Sequence, residues 1–368
     1  MSIRIRALAL VLTGLLLFSL AGCGETGQTS QAAAPQTGSQ EANTIDFFAM
    51  DTFMSLRAYG ASDELLQRAA EAVYALEAEI STTAETSAVY ALNRQGSGVL
   101  SSQGAYLLGR ALDLCAQTDG ALDLSVYPVV RAWGFTTQDY RVPDQAELDE
   151  LLERVDYTRI ELDPDGTVTL APGMEIDLGS VAKGYTGDLL ADILRQGGVQ
   201  SAILDLGGNI QTLGSKPDGS AWRVAIQNPA GDGILGVIPV TDKAVVTSGG
   251  YERYFIDEDG NLWWHIMDPA TGYPAQNGLI SVTIVGEEGL RCDALATALF
   301  ILGQQAAVDY WRSCRDFDLA LVTGDGRLLL SPDLYAVFVP EESLGYSVEV
   351  LDPDAGSALT PGEVRPDA

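Results

Sequence analysis

Apolar side chains at Leu65, Leu66, Ala69, Val73, Leu76 and Ile80 recur at helical spacing and predict a helix from Asp63 to Glu79 with one face turned to a core. Ahead of it, residues 43–59 read as a strand pair or bent strand around Met50-Asp-Thr-Phe-Met54. Residues 81–93 are polar, with Val89 and Leu92 as scattered anchors. A second helix is predicted over 103–117 on Ala105, Leu108, Leu112 and Cys115, stopping near Gly120. A short acidic helix follows Pro143, and then strands at 158–162 and 167–170 joined by the turn Asp163-Pro-Asp-Gly166. Ile176 and Leu178 continue an alternation that predicts a short strand, followed by a helix reaching Arg195.

Beyond that helix the pattern changes to period two. Strands are expected at 201–206, 222–227, 236–240, 244–247, 251–256, 263–266 and 280–285. Helices return at 292–302 and 304–313, then strands at 318–322 and 328–330. Long helices interleaved with hairpins predict an α+β fold of two closely packed subdomains, with mainly antiparallel sheets and flanking helices.

The N-terminus breaks this scheme. Arg4 and Arg6 precede an apolar run, Ala7 to Leu20, which ends in Ala21-Gly22-Cys23. The run is shorter than the ~20 apolar residues that cross a bilayer, and a polar segment follows at once. The expectation is a lipoprotein signal peptide over 1–22, lipidation at Cys23 and a flexible Gly/Gln/Thr/Ser/Ala-rich tether to residue 43. Folded chain is expected over 44–335, and an acidic C-terminal extension over 336–368. Such a protein would sit outside the cytoplasm, held to the bacterial cell membrane by its lipid.

Charge then narrows the ligand. With 51 acidic against 21 basic residues and a formal charge of -30, no basic stripe exists for nucleic acid. An anionic ligand would need local backbone donors and a divalent cation. Cys115, Cys292 and Cys314 lack the spacing of a zinc site, and the sequence leaves open whether Cys292 and Cys314 pair.

The densest chemistry lies in Glu175-Ile-Asp-Leu-Gly-Ser-Val-Ala-Lys-Gly-Tyr-Thr-Gly-Asp188. There a carboxylate (Asp177), glycines, Ser180 and a cation (Lys183) meet where a helix begins. Free N–H groups beside a lysine suit a phosphate, and the same pattern also fits an ordinary turn. Asp293 and Thr297 stand at i and i+4 and share a helix face, so both oxygens can converge on a hard cation; alternatively Asp293 only favours the first turn. His265, the single histidine, precedes the turn Ile266-Met-Asp-Pro-Ala-Thr-Gly272, and Thr247-Ser-Gly-Gly-Tyr251 reads as a polar loop that closes a strand.

Taken in order, Met50-Asp-Thr-Phe-Met54, Asp119-Gly-Ala-Leu-Asp123, Trp133-Gly-Phe135, Asp177-Leu-Gly-Ser-Val-Ala-Lys-Gly-Tyr185, Asp205-Leu-Gly-Gly-Asn209, Thr247-Ser-Gly249, His265-Ile-Met-Asp-Pro-Ala-Thr-Gly272 and Asp293-Ala-Leu-Ala-Thr297 resemble the ApbE family over about residues 45–330. The resemblance implies an FAD:protein FMN transferase. Such enzymes cleave the pyrophosphate of FAD, pass FMN to a threonine of a target protein as a phosphoester, and release AMP. It implies FAD as substrate, Mg²⁺ as cofactor, and as partner a flavin-carrying subunit of a membrane redox complex. It also implies metal ligation by Asp293, Thr297 and a main-chain oxygen near Ser180. FAD contacts would come from Met50, Ala121, Leu122, Asp123, Asp177, Lys183, His265, Ile266 and Met267, with Tyr90 placed to stack on the flavin. Lys183 would stabilise charge, and His265 or Asp177 would take the hydroxyl proton. Two positions depart from the family pattern: Asp51 stands where Gly is usual, and Leu122 where Phe is usual. The alternatives are a Mg²⁺-dependent FAD pyrophosphatase giving FMN and AMP, and a flavin-binding lipoprotein without catalysis.

Overall fold

The computed structural model describes residues 41–354 apart from 342 and 344. The expected signal peptide, Cys23 and most of the tether lie outside the described residues, as does the chain after 354. The described residues form one compact unit.

In chain order the elements are β1 (Ala42–Ala49), β2 (Thr52–Tyr59), α1 (Asp63–Ile80), α2 (Ala88–Gln95), β3 (Ser97–Val99), α3 (Ser102–Gln117), α4 (Tyr127–Ala132), α5 (Gln145–Leu152), β4 (Ile160–Leu162), β5 (Thr167–Leu170) and α6 (Gly179–Gln196). They continue with β6 (Ala202–Leu206), β7 (Asn209–Leu213), β8 (Trp222–Gln227), β9 (Ile234–Val240), β10 (Ala244–Gly249), β11 (Tyr254–Ile256), β12 (Leu262–Trp264) and β13 (Leu279–Gly286). The last are α7 (Gly289–Cys314), β14 (Asp318–Thr323), β15 (Arg327–Leu330), α8 (Pro332–Val337), β16 (Val339–Pro340) and β17 (Ser347–Val350).

A nine-stranded sheet in the order β1-β2-β6-β7-β10-β13-β14-β15-β17 forms the body. Its pairings are antiparallel except β15 with β17, which is parallel. The strand β17 therefore makes part of the acidic extension a member of the main sheet. The architecture is α+β with antiparallel-rich sheets, as the two periodicities predict.

Helix starts follow their capping residues. The Ser62 hydroxyl accepts from Leu65 N–H, Ser101 from Gly104 N–H, and the Asp144 carboxylate from Glu147 N–H. On one face of the sheet, Met54, Leu56 and Ala58 of β2 meet Leu66, Ala69 and Val73 of α1 and Leu190 and Leu194 of α6. Next to them, Val282 and Ile284 of β13 pack on Leu295, Leu299 and Phe300 of α7. Gly303, at φ 79, breaks α7 where the sequence predicts one helix to end and another to begin.

Three expectations change. The stretch 176–178 is not a strand: Asn93 donates to the Ile176 carbonyl and accepts from the Ile176 N–H, each at 2.8 Å. One side-chain amide thus supplies what a neighbouring strand would have supplied. Residues 81–93 are not merely polar, because Ser87 caps α2 through the N–H groups of Val89 and Tyr90. Ser248 and Gly249, expected in a loop, continue β10 and pair with Val282 and Ser281.

Register places the site. The turn 50–51 joining β1 to β2, the turn 207–208 joining β6 to β7, the end of β10 and the start of β13 all fall at the same end of the sheet. Met50 and Asp51 have φ of 50 and 60, the left-handed pair that a two-residue hairpin requires. Met50 N–H donates to Glu77 of α1 at 2.7 Å, and the Thr186 hydroxyl of α6 donates to its sulfur at 3.5 Å.

Candidate active site

The floor of the site is the crossing of α6 and α7. A Cβ on Gly184 would lie 2.2 Å from the Gly289 carbonyl oxygen and 2.6 Å from Asp293 Cβ. Only glycine permits this approach, and the approach is what seats Asp293 beside Lys183. Asp188 ties the helices a second time by accepting from Gly289 N–H at 2.7 Å and Leu290 N–H at 2.8 Å. Burial pushes the Asp188 carboxyl up to about 6 despite those two donors.

Asp293 is 4 % exposed. Its Oδ2 accepts from Gly184 N–H at 2.8 Å. In an uninterrupted helix that N–H serves the Ser180 carbonyl, so the carboxylate competes with Ser180 for its donor. Burial raises the Asp293 carboxyl, opposed by the positive charge of Lys183 and by the Gly184 N–H. One helical turn on, the Thr297 hydroxyl lies 3.2 Å from the Ser248 hydroxyl of β10. The structure therefore places Asp293 and Thr297 on one face, with the Ser180 turn opposite Asp293 through Gly184.

Among the described residues no group of three or more His, Cys, Asp and Glu side chains is arranged to hold a metal. The donors on offer are one carboxylate, a hydroxyl and main-chain oxygen, the set that suits a hard cation completing its shell with water and phosphate. A buried carboxylate opposed only by a lysine and neutral donors is itself a favourable seat for such a cation. The residues present thus fit a magnesium ion.

Asp177 precedes the first turn of α6 and its Oδ1 accepts from Gly179 N–H at 2.8 Å. The helix starts at Gly179 rather than at Ser180, which lies within the first turn. Asp177 N–H donates to the Leu124 carbonyl at 2.9 Å, which lays the Ala121–Asp123 stretch alongside. The Asp177 carboxyl rises through loss of water, opposed by Gly179 and the charge of Arg253.

His265 faces the same region, close enough for the charges of Lys183 and Arg253 to act on it. Its N–H donates to the Arg253 carbonyl at 3.1 Å, and Nδ1 lies 3.3 Å from the same oxygen. Burial and the charges of Arg253 and Lys183 push the imidazole down to about 4, so it is neutral near pH 7. The Trp133-Gly-Phe135 motif supports it. Phe135 packs edge-on to His265 at 6.3 Å, and Trp133 donates to the Gly272 carbonyl at 2.8 Å.

Other expected contacts have internal partners. The Asp123 carboxylate accepts from the Ser125 N–H and hydroxyl and from Tyr157 N–H. Leu122 lies in the apolar core with Cys115 and Leu124. Ile266 and Met267 bury their side chains in separate clusters. Tyr90 is half-buried with Arg94 over its ring at 5.6 Å. Cys115, Cys292 and Cys314 are free thiols, and α7 runs between the last two.

Two charged residues join the site without having been singled out in the sequence. Glu252 is exposed on one side, and its carboxyl is raised by loss of water on the other and by the charge of Asp293, against the opposing charges of Lys183 and Arg253, so it flanks the floor. Arg253 donates to Asp51 at 2.8 Å and its charge reaches Asp177 and His265. No local pattern distinguishes this Glu-Arg pair from a solvated hairpin.

Comparison with known proteins gives a consistent answer. The family model described as "ApbE family" matches residues 50–321. The chain is 37% identical over 234 residues to an FAD:protein FMN transferase of Klebsiella pneumoniae, covering 62% of this chain and 72% of that protein. It is 36% identical over 275 residues to one from Treponema pallidum, covering 69% and 76%. Its structure resembles that of the ApbE protein from Thermotoga maritima with a TM-score of 0.75 at 29% identity, covering 81% of this chain and 99% of the other. For the flavin transferase ApbE from Vibrio cholerae the TM-score is 0.72 at 26% identity, covering 81% and 100%.

Proposed function

The chain belongs to the ApbE family, and from that membership we infer an FAD:protein FMN transferase. FAD is the flavin donor and a protein is the acceptor. In the finer reading the acceptor atom is a threonine hydroxyl, the product is a phosphoester, AMP leaves and Mg²⁺ assists.

The observation that carries this reading is the glycine-dependent crossing that holds Asp293 beside Lys183 while drawing a helical donor from Ser180. Asp293, Thr297 and the Ser180 carbonyl would hold the metal, and when bound it would neutralise pyrophosphate charge and ease departure of AMP. Lys183 sits beside that seat and stabilises the charge that develops on the phosphoryl oxygens. At the start of α6 the N–H groups of Gly179, Val181 and Ala182 already donate to Asp177 and to the Leu178 carbonyl, so this task falls to Lys183 and the metal.

In the transfer, the threonine oxygen forms a bond to the phosphorus on the FMN side. The bond from that phosphorus to the bridging oxygen breaks, and its electron pair leaves with AMP. The hydroxyl proton passes to a base. His265 fits this role because it is neutral, and the arrival of anionic phosphates beside Lys183 and Arg253 relieves the field that depresses it. Asp177 is the second reading, favoured by a carboxyl that burial has already raised.

The leader and Cys23 support a lipid-anchored, extracytoplasmic enzyme whose partner is a flavin-carrying subunit of a membrane redox complex. Cys23→Ala is expected to move the protein from the membrane to the soluble fraction, and a variant that stays on the membrane overturns the anchor. The test of the reaction is incubation with FAD, Mg²⁺ and a threonine-bearing candidate acceptor, followed by mass measurement of the acceptor. An FMN-sized increment supports transfer. Free FMN and AMP without it point to pyrophosphatase activity, and intact FAD to binding alone.

A further inference from the structure

The Asp51–Arg253 contact joins residues 202 positions apart, and neither element needs it to form. Asp51 occupies the tip of a hairpin closed by its own eight-pair register. Arg253 lies in the connection between β10 and β11. The two side chains are 73 % and 49 % exposed, so the pair adds only ~0.2–1 kcal/mol to stability. Its position is more informative than its strength. Arg253 touches the site through its carbonyl, which holds His265, and through a charge that reaches His265, Asp177 and Glu252.

Lys183 supplies one cation at the floor, beside Asp293. A dinucleotide brings two linked phosphoryl groups, and a chain with a formal charge of -30 must offset both. Arg253 is the second cation in reach of His265, and its planar fork suits two phosphate oxygens at once. Asp51 at present takes one arm of that fork, Nη2, from the hairpin tip.

We propose that the Arg253 guanidinium binds a phosphate of the dinucleotide, and that Asp51 is an internal stand-in carboxylate which holds the fork until the phosphate displaces it. The inference rests on the flavin-transfer reading and adds to it a binding residue and a competitor for that residue. An exposed pair exchanges at little cost, and the two linked phosphates together offer more charge and more acceptor oxygens than a single carboxylate. Asp51 then lowers FAD affinity while keeping Arg253 in place.

The test is a double-mutant cycle on FAD binding to the whole protein in Mg²⁺, read by flavin fluorescence. Arg253→Gln is expected to raise the FAD dissociation constant about tenfold, the loss of a charge-assisted phosphate contact. Asp51→Asn keeps a residue that tolerates positive φ. It is expected to lower the dissociation constant about two- to fivefold, and this gain should vanish in the Arg253→Gln background. Opposite signs for the single variants and loss of the gain in the double variant support the proposal. Equal signs, no change in Arg253→Gln, or a gain that persists in the double variant overturns it. Acceptor labelling by the wild-type protein is measured alongside. Absence of an FMN increment there removes the transfer reading itself, whereas normal labelling with an unaltered Arg253→Gln affinity removes only the stand-in.

Discussion

The floor and the mouth of the site are held by different forces. At the floor, Lys183, Gly184 and Asp293 lie where α6 and α7 touch, and the carboxylate is fixed by a main-chain N–H within a close backbone contact. At the mouth, Asp51, Glu252, Arg253 and His265 come from a hairpin tip, a connecting loop and a short strand's end, and an exposed ion pair joins two of them. Packing that cannot yield sets the first geometry, so its residues should tolerate almost nothing. Charges that can exchange partners set the second, so its residues should shift affinity and pH response by modest amounts.

That contrast can be broken most severely at Asp293. Asp293→Ala should lower transfer on the order of 10³-fold by removing the metal seat, while thermal melting stays near wild type because a costly buried carboxylate is lost with it. Transfer near the wild-type rate would remove Asp293 from the site. Lys183→Ala should cost about 10²-fold in turnover; a large drop in melting temperature with turnover retained would make Lys183 a structural residue. Gly184→Ala should destabilise by ~1–3 kcal/mol in urea unfolding, because the added methyl meets main chain that has no room to move. Unchanged stability would mean that the crossing is looser than the backbone contact implies.

The smallest effect belongs to the mouth. His265 titrates at about 4 in the folded protein against an ordinary 6.5. As pH falls from 6.5 towards 4 the unfolded chain takes up this proton first, so the stability tied to a neutral His265 is present above 6.5 and is lost across that window. His265→Gln should flatten the pH dependence of melting there. Melting curves of equal slope in both proteins would show that His265 is not held neutral. A pH–rate profile that keeps its acidic limb in the same variant would remove His265 as the base in favour of Asp177.

Much of the floor was legible from local pattern. The Glu175–Asp188 segment combines glycines, a carboxylate and a lysine at a helix start, and the Asp293/Thr297 spacing fixes a shared face. The two helices expected at 292–302 and 304–313 meet at Gly303, where the chain does break. Alternation misled at 176–178, because Asn93, 83 residues away, takes the place of a strand. Asp188 looked like one more polar residue on a helix, and only its reach to Gly289 and Leu290 gives it a task. Glu252 and Arg253 look like any solvated hairpin, and the departure at Asp51 read only as added negative charge near a pocket. Its partnership with Arg253 depends on a contact between the first hairpin and the tenth strand's exit.

By itself the sequence determined the helices, most strands, the α+β class and the presence of phosphate-suited chemistry, because periodicity, capping and turn residues act over a few positions. The tertiary structure alone decided which carboxylate meets which cation. That depends on how closely two helices cross and where hairpin tips end, and a distance across 109 or 202 residues leaves no trace in the spacing of neighbours.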